Sequence, residues 1–162
     1  MDFISDSMAV NRKFRTLNVM DDCSREVLAI EVDTSLSSRR VIRTLDRIIE
    51  QRGKPVSIRT DNGPEFTSKD LELWSLDKGN NLHFIQPGKP MQNGYIERFN
   101  RLYREAILDV YLFFDLNEVR VLTEEWMEEY NTKRPHESLG NKTLYEWKMN
   151  LIKNDYALNK FV

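Results

Sequence analysis

The chain has 162 residues, 40% of them hydrophobic and 31% charged, with a formal net charge of −2. That suffices for one domain with a proper core and is ordinary for a globular protein, and no apolar run approaches the ~20 residues of a membrane span. The single cysteine, Cys23, excludes an internal disulfide and a cysteine-rich zinc site and suits a reducing cytoplasm, and the opening MDFISDSM has no signal-peptide character.

The first third reads as three short strands. Residues 1–6 form one, residues 14–21 alternate through Leu17, Val19 and Met20, and residues 27–32 follow an Asp-Asp-Cys-Ser-Arg turn. Ser37 or Ser38 then opens a helix with Val41, Ile42, Leu45, Ile48 and Ile49 at helical spacing, stopped at Gly53. A fourth strand, 56–60, ends on the turn-forming Asp-Asn-Gly-Pro. Thr67 and Asp70 predict a capping-box start for a helix carrying Leu71, Trp74 and Leu76, and residues 82–85 predict a fifth strand. The loop Gln-Pro-Gly-Lys-Pro-Met-Gln-Asn-Gly has few apolar anchors and is expected to be poorly held without a ligand. It leads into a long helix from about residue 95 with Ile96, Phe99, Tyr103, Ile107 and Val110 on one face. Asn117 is the predicted cap of a further helix with Val119, Leu122, Trp126 and Tyr130 facing inward, and residues 144–152 are helical again. The order βββαβαβα with helical appendages is read as one domain, 1–162, without repeats or linkers.

Three acids stand out by placement. Asp61 sits at the carboxyl end of the fourth strand, where open α/β sheets present their ligand sites. Glu97 lies in the first turn of the long helix, with 35 residues between it and Asp61. Asp2 is on the first strand, which this order can place beside the fourth. Carboxylates brought together repel unless a cation neutralises them, and hard oxygen ligands suit Mg²⁺. Two such ions ~3.5–4 Å apart can serve both the attacking and the leaving oxygen of an in-line displacement. Charge supports a polyanionic substrate: residues 85–105 hold Lys89, Arg98, Arg101 and Arg104 against Glu97 and Glu105, whereas residues 115–130 hold six acids and one arginine.

Four strings carry a resemblance: Met-Asp-Phe-Ile-Ser-Asp (1–6), Arg-Thr-Asp-Asn-Gly-Pro-Glu-Phe (59–66), Gln-Asn-Gly-Tyr-Ile-Glu-Arg-Phe-Asn (92–100) and Tyr-Asn-Thr-Lys-Arg-Pro-His-Glu-Ser-Leu-Gly (130–140). Together they resemble bacterial insertion-sequence transposases of the DDE class, whose catalytic core is similar to retroviral integrase. The resemblance implies a ribonuclease H-like α/β fold, a five-stranded mixed sheet flanked by helices with a C-terminal helical extension. It implies Asp2, Asp61 and Glu97 as catalytic metal ligands for Mg²⁺, with Mn²⁺ able to substitute and two ions present with DNA. It implies metal-dependent DNA cleavage and strand transfer on element ends and target DNA, in a self-associating complex in the bacterial cytoplasm. DNA contacts are expected from Asn100, Arg101 and Arg104, with Lys89 alongside. Such transposases carry a helix-turn-helix region upstream that recognises element ends. Nothing but Met1 precedes Asp2 here, so that region is expected to be absent and activity of the chain alone to be impaired.

Other residues have plainer readings. Asp6 shares a strand face with Asp2 and is the fallback ligand. Glu65 is either a helix-approach residue or a group supporting the site from behind. Asp21 and Asp22 suit a hairpin turn, His136 suits loop ordering rather than Mg²⁺, and Arg39, Arg40, Arg43 and Arg47 suit the solvated face of a helix.

Overall fold

The computed structural model describes residues 1–158, including the side chains of all of these except Pro90 and residues 152–158. Strands β1 (Asp2–Ser7), β2 (Lys13–Met20) and β3 (Val27–Asp33) form the expected antiparallel meander, in the order β1-β2-β3. Helix α1 (Ser38–Arg52) follows, with Ser37 in the cap position and Gly53 closing it at φ 83°, a left-handed value that glycine takes without strain. Strand β4 (Ile58–Thr60), helix α2 (Lys69–Lys78) and strand β5 (Leu82–Phe84) make a βαβ unit in which β4 and β5 run parallel.

The predicted cap of α2 moves by one residue. Ser68 rather than Thr67 accepts the backbone N–H of Leu71, at 3.3 Å. The Thr67 hydroxyl instead donates back to the Gly63 carbonyl at 3.2 Å.

The five strands do not form one continuous ladder. Three pair antiparallel and two pair parallel, and β1 meets β4 through the Met1 nitrogen donating to the Arg59 carbonyl at 2.8 Å. Strands β4 and β5 have three residues each, so few backbone groups are available to extend the pairing.

Residues 90–93 form a 3₁₀ turn leading into α3 (Gly94–Tyr103). This half of the loop is anchored more firmly than its composition suggests. Asn93 is buried, Gln92 Oε1 accepts from the Gln86 N–H at 2.9 Å, and the Gln92 carbonyl accepts from Arg59 at 3.0 Å. Helix α3 then widens into a π turn over Arg104–Leu108, with Asp109 N–H reaching the Arg104 carbonyl at 2.9 Å. The extra residue in that turn rotates the residues after it. Val110, expected on the inner face, is 61% exposed.

Helix α4 (Leu116–Thr132) is capped by Asp115 and not by Asn117, with Glu118 completing a reciprocal capping box. A short hairpin of β6 (Pro135–His136) and β7 (Lys142–Thr143) leads into α5 (Leu144–Leu158).

The sheet is covered on both faces because its central strand is apolar on both. Phe14 of β2 packs with Phe99, Tyr103, Val119 and Tyr130 of α3 and α4. Leu17 and Val19 of the same strand pack with Val41 and Leu45 of α1 and Leu71 and Trp74 of α2. Burial on this scale, at about 25 cal/mol per Å² of apolar surface, is the main driving force for the layered arrangement. Asn131 of α4 covers the outer edge of β3, exchanging two 2.9 Å hydrogen bonds with the Val27 backbone. That side chain occupies backbone groups which would otherwise invite edge pairing.

Candidate active site

Asp2 and Asn18 are cross-strand partners, so their side chains leave the same face of the sheet. Ile4, two residues beyond Asp2, packs into the core under α3 and α4, which assigns this face to α3. Asn100 descends from α3 onto the pair. Its amide nitrogen donates to Asp2 Oδ2 at 2.7 Å, and its amide oxygen accepts from Asn18 Nδ2 at 2.8 Å. Asp2 Oδ1 accepts from the Phe3 backbone N–H at 2.8 Å. The Asp2 carboxylate is therefore oriented from two sides.

Asp61 follows β4, which lies beside the start of β1. Its Oδ1 accepts the Gly63 N–H at 2.9 Å, an Asx turn that fixes the carboxylate against its own backbone. A β-carbon at Gly63 would stand 3.0 Å from that oxygen, so the glycine leaves room for the aspartate. Glu97, in the first turn of α3, is exposed.

Burial raises the Asp2 carboxyl above the ordinary aspartate range, and the neighbouring Asp61 and Glu97 carboxylates push it the same way, against the Phe3 hydrogen bond. Asp61 and Glu97 thus both lie within electrostatic reach of Asp2. Among the described residues, no group of three acids, histidines or cysteines already stands close enough to hold an ion. The donor set nonetheless fits a hard divalent cation. All three donors are carboxylates, and the repulsion felt at Asp2 is what such a cation relieves.

The four residues expected at DNA divide into two groups. Arg101 and Lys89 are exposed. Asn100 has both ends of its amide engaged by Asn18 and Asp2. Arg104 donates to Asp6 Oδ2 at 3.1 Å, to Asp109 at 3.2 Å and to the Ser5 carbonyl at 3.0 Å. Those bonds tie α3 to the far end of β1 and give Asp6 an ion-pair role.

Glu65 forms an ion pair with Arg15. Burial pushes its carboxyl up, but the hydrogen bond and charge of Arg15 outweigh this and leave it below the usual glutamate range. Arg15 also lies 4.2 Å over the Phe3 ring, and Phe3 stacks on Phe66 at 4.9 Å. Through Arg15, Glu65 therefore links the chain that follows Asp61 to the chain that follows Asp2. Sequence reasoning missed Asn18 altogether. Its only signal was a polar residue in the middle of an apolar strand.

Comparison with known proteins identifies the family. Two integrase core domain profiles match the chain, one over residues 1–90 and the other over residues 78–143. The chain belongs to the integrase core domain family. It is 42% identical over 140 residues to the 31.7 kDa protein of insertion element IS407 of Burkholderia multivorans, covering 86% of this chain and 50% of that protein. It is 42% identical over 140 residues to the 39.2 kDa protein of insertion element IS476 of Xanthomonas euvesicatoria, covering 86% of this chain and 40% of that one. The chain thus spans half or less of the length of the curated relatives it matches. Among solved structures, the HTLV-2 integrase catalytic core domain in complex with magnesium superposes with a TM-score of 0.64. It covers 90% of this chain and 93% of that one at 20% identity. The ribonuclease H-like fold class and the insertion-element relationship both hold. No helix among the described residues is long and apolar enough to cross a membrane.

Proposed function

We propose that this integrase core domain is the catalytic core of a transposase that cleaves DNA and transfers the resulting strand. The observation that carries the reading is the electrostatic convergence on Asp2 of Asp61 and Glu97, with Asn100 fixing the Asp2 carboxylate. The magnesium of the HTLV-2 integrase neighbour supports the assignment of these acids as ligands. Asp2, Asp61 and Glu97 would hold Mg²⁺, or Mn²⁺ in its place, which supplies charge neutralisation and Lewis acidity for in-line displacement at phosphorus.

The chain's own contributions follow from the geometry. Asn100 and the Phe3 N–H orient Asp2, the Gly63 N–H orients Asp61, and exposed Arg101 offers a fork to backbone phosphates. In the first reaction water attacks a phosphodiester and leaves a 3′-hydroxyl. In the second, that hydroxyl attacks a phosphodiester of target DNA, and the target's own 3′-oxygen departs with a proton. No covalent link to the protein is formed. The site works in company with DNA and, by analogy with the dimeric and trimeric integrase neighbours, with further copies of the chain.

A supercoiled plasmid incubated with the chain and Mn²⁺ tests the reading. Wild type should nick it, and Asp61→Asn and Glu97→Gln should lose at least a hundredfold of that activity. A labelled duplex with a recessed 3′-hydroxyl should become joined to the plasmid. Nicking that survives both substitutions contradicts the proposal, and nicking without joining reduces it to a nuclease.

A further inference from the structure

Beside Glu97, the adjacent flank of α3 forms one wall of a concave pocket of about 320 Å³. Tyr95, Arg98, Phe99 and Leu102 lie along this wall at helical spacing. Two further guanidiniums enter from distant parts of the chain, Arg25 from the β2–β3 turn and Arg134 from the segment after α4. Glu137 is the one acid among the lining residues, which leaves the pocket strongly basic in a chain whose total charge is −2.

Several observations indicate that these cations are arranged for a ligand. Arg25 has φ 66°, a left-handed conformation uncommon for residues other than glycine, which persists only where its surroundings hold it. In that conformation its guanidinium lies 3.4 Å over the Tyr95 ring. Its Nη1 is buried and has no hydrogen-bond partner among the described residues. His136 is 8% exposed, and its Nε2 is likewise buried and unpartnered. Burial holds the His136 imidazole below the ordinary histidine range, and Arg134 and Arg25 add to that effect. Arg25, Arg98 and Arg134 line one pocket, with Arg25 over the Tyr95 ring and Arg134 over the Tyr130 ring, and like charges gathered in this way are relieved when an anion joins them. Their planar forks match the oxygens of a phosphate.

The pocket's size and floor narrow the ligand. Its volume is at the small end of the ~300–1,000 Å³ range of ligand pockets, too small for a duplex. Met20 and Leu102, both only partly buried, supply an apolar base. A second concavity, on the other side of Tyr95, carries Arg59, Phe84 and Met91, and Arg59 lies two residues before Asp61. Positive charge along a groove with aromatic surface is how single strands are held.

We infer that the pocket receives one nucleotide of a single DNA strand leading from the carboxylates, its phosphate on Arg25, Arg98 and Arg134 and its base on the apolar floor. The inference rests on the DNA-processing function proposed above and gives the Arg-Pro-His string of residues 134–136 a role in binding.

Fluorescence anisotropy of a labelled 12-nucleotide single strand with the full chain in EDTA tests it without requiring catalysis. Arg98→Ala and Arg134→Ala should each weaken binding about five- to tenfold and lower the slope of log affinity against log salt by ~0.7 per phosphate lost. Arg134→Lys, which keeps the charge, should recover part of the loss and guard against misfolding. A strand with methylphosphonate linkages should bind wild type and Arg134→Ala alike, and Arg43→Ala, on the exposed face of α1, should match wild type. Equal affinity of wild type and both pocket variants overturns the inference, as does an equal loss in Arg43→Ala, which would indicate general basicity. A loss seen only in self-association by sedimentation also overturns it, by assigning the pocket to a second copy. If wild type nicks DNA yet the pocket variants bind normally, the pocket inference alone fails. If wild type neither binds nor nicks, the DNA-processing reading has failed with it.

Discussion

Asp2 and Glu97 are proposed ligands of the same cation, but the protein holds them in opposite ways. Asp2 is half-buried at the start of a paired strand, with Asn100 on one oxygen and a backbone N–H on the other. Glu97 is exposed on the first turn of a helix that follows a glycine- and proline-containing loop. One ligand is set by the fold at the cost of burying charge beside other carboxylates. The other is kept in solvent, where its charge costs little until it is needed. The difference suggests a site built from a fixed half and an adjustable half.

The largest effect on stability should come from the fixed half. Asn100→Ala removes the partner of both the Asp2 carboxylate and the buried Asn18 amide. An unsatisfied buried polar group costs about 1–3 kcal/mol, so thermal unfolding should show a loss of roughly 3–10 °C for a chain of this size. A loss under a degree would mean that Asp2 is held by something other than Asn100.

A smaller effect, of opposite sign, should follow Asp2→Asn without metal. The folded carboxyl titrates above the unfolded one, so the native state binds more protons in the window between them. Wild-type stability therefore falls as pH rises through that window. The asparagine variant lacks this fall, and above the window it should unfold about 1–2 °C higher than wild type. The gap should close as pH is lowered through the carboxylate range, and a gap independent of pH would assign the gain to some other cause.

The smallest effect belongs to the adjustable half. Glu97→Gln alters an exposed side chain with no hydrogen-bond partner among the described residues, and its metal-free stability should stay within about 0.5 kcal/mol of wild type. Chemical denaturation would detect a larger change, and that would show Glu97 to be built into the fold after all.

Much of this architecture was legible in the sequence because apolar periodicity is strong in β2, α1, α3 and α4. Caps were harder to place. Ser68 competes with Thr67, and Asp115 with Asn117, on the same local chemistry, and only the path of the chain decides between neighbours. The outward turn of Val110 was hidden because a π turn shifts helical register without any marker residue. Among the proposed site residues, turn chemistry and helix periodicity located Asp61 after β4 and Glu97 in the first turn of α3, and it is the resemblance that implies them as ligands. Asn100 was expected to face DNA, since nothing along the chain reveals that Asn18 stands beneath it. Arg104 was expected to do the same, although Asp6, almost a hundred residues earlier, engages it. The pocket of Arg25, Arg98 and Arg134 could not be read from the sequence, because its members come from three segments that only the folded chain brings together.

The central claim is that Asp2, Asp61 and Glu97 form one cation site, and thermal unfolding with and without Mg²⁺ or Mn²⁺ tests it most directly. A ligand that binds only the native state stabilises it by RT ln(1 + [L]/Kd), about 2.7 kcal/mol at a hundredfold excess over Kd. Wild type should therefore unfold several degrees higher with metal. Asp61→Asn should abolish the shift, and Glu97→Gln, lacking only the adjustable ligand, should reduce it. The same metal-induced shift in wild type, Asp61→Asn and Glu97→Gln would contradict the account, because the cation would then be bound elsewhere.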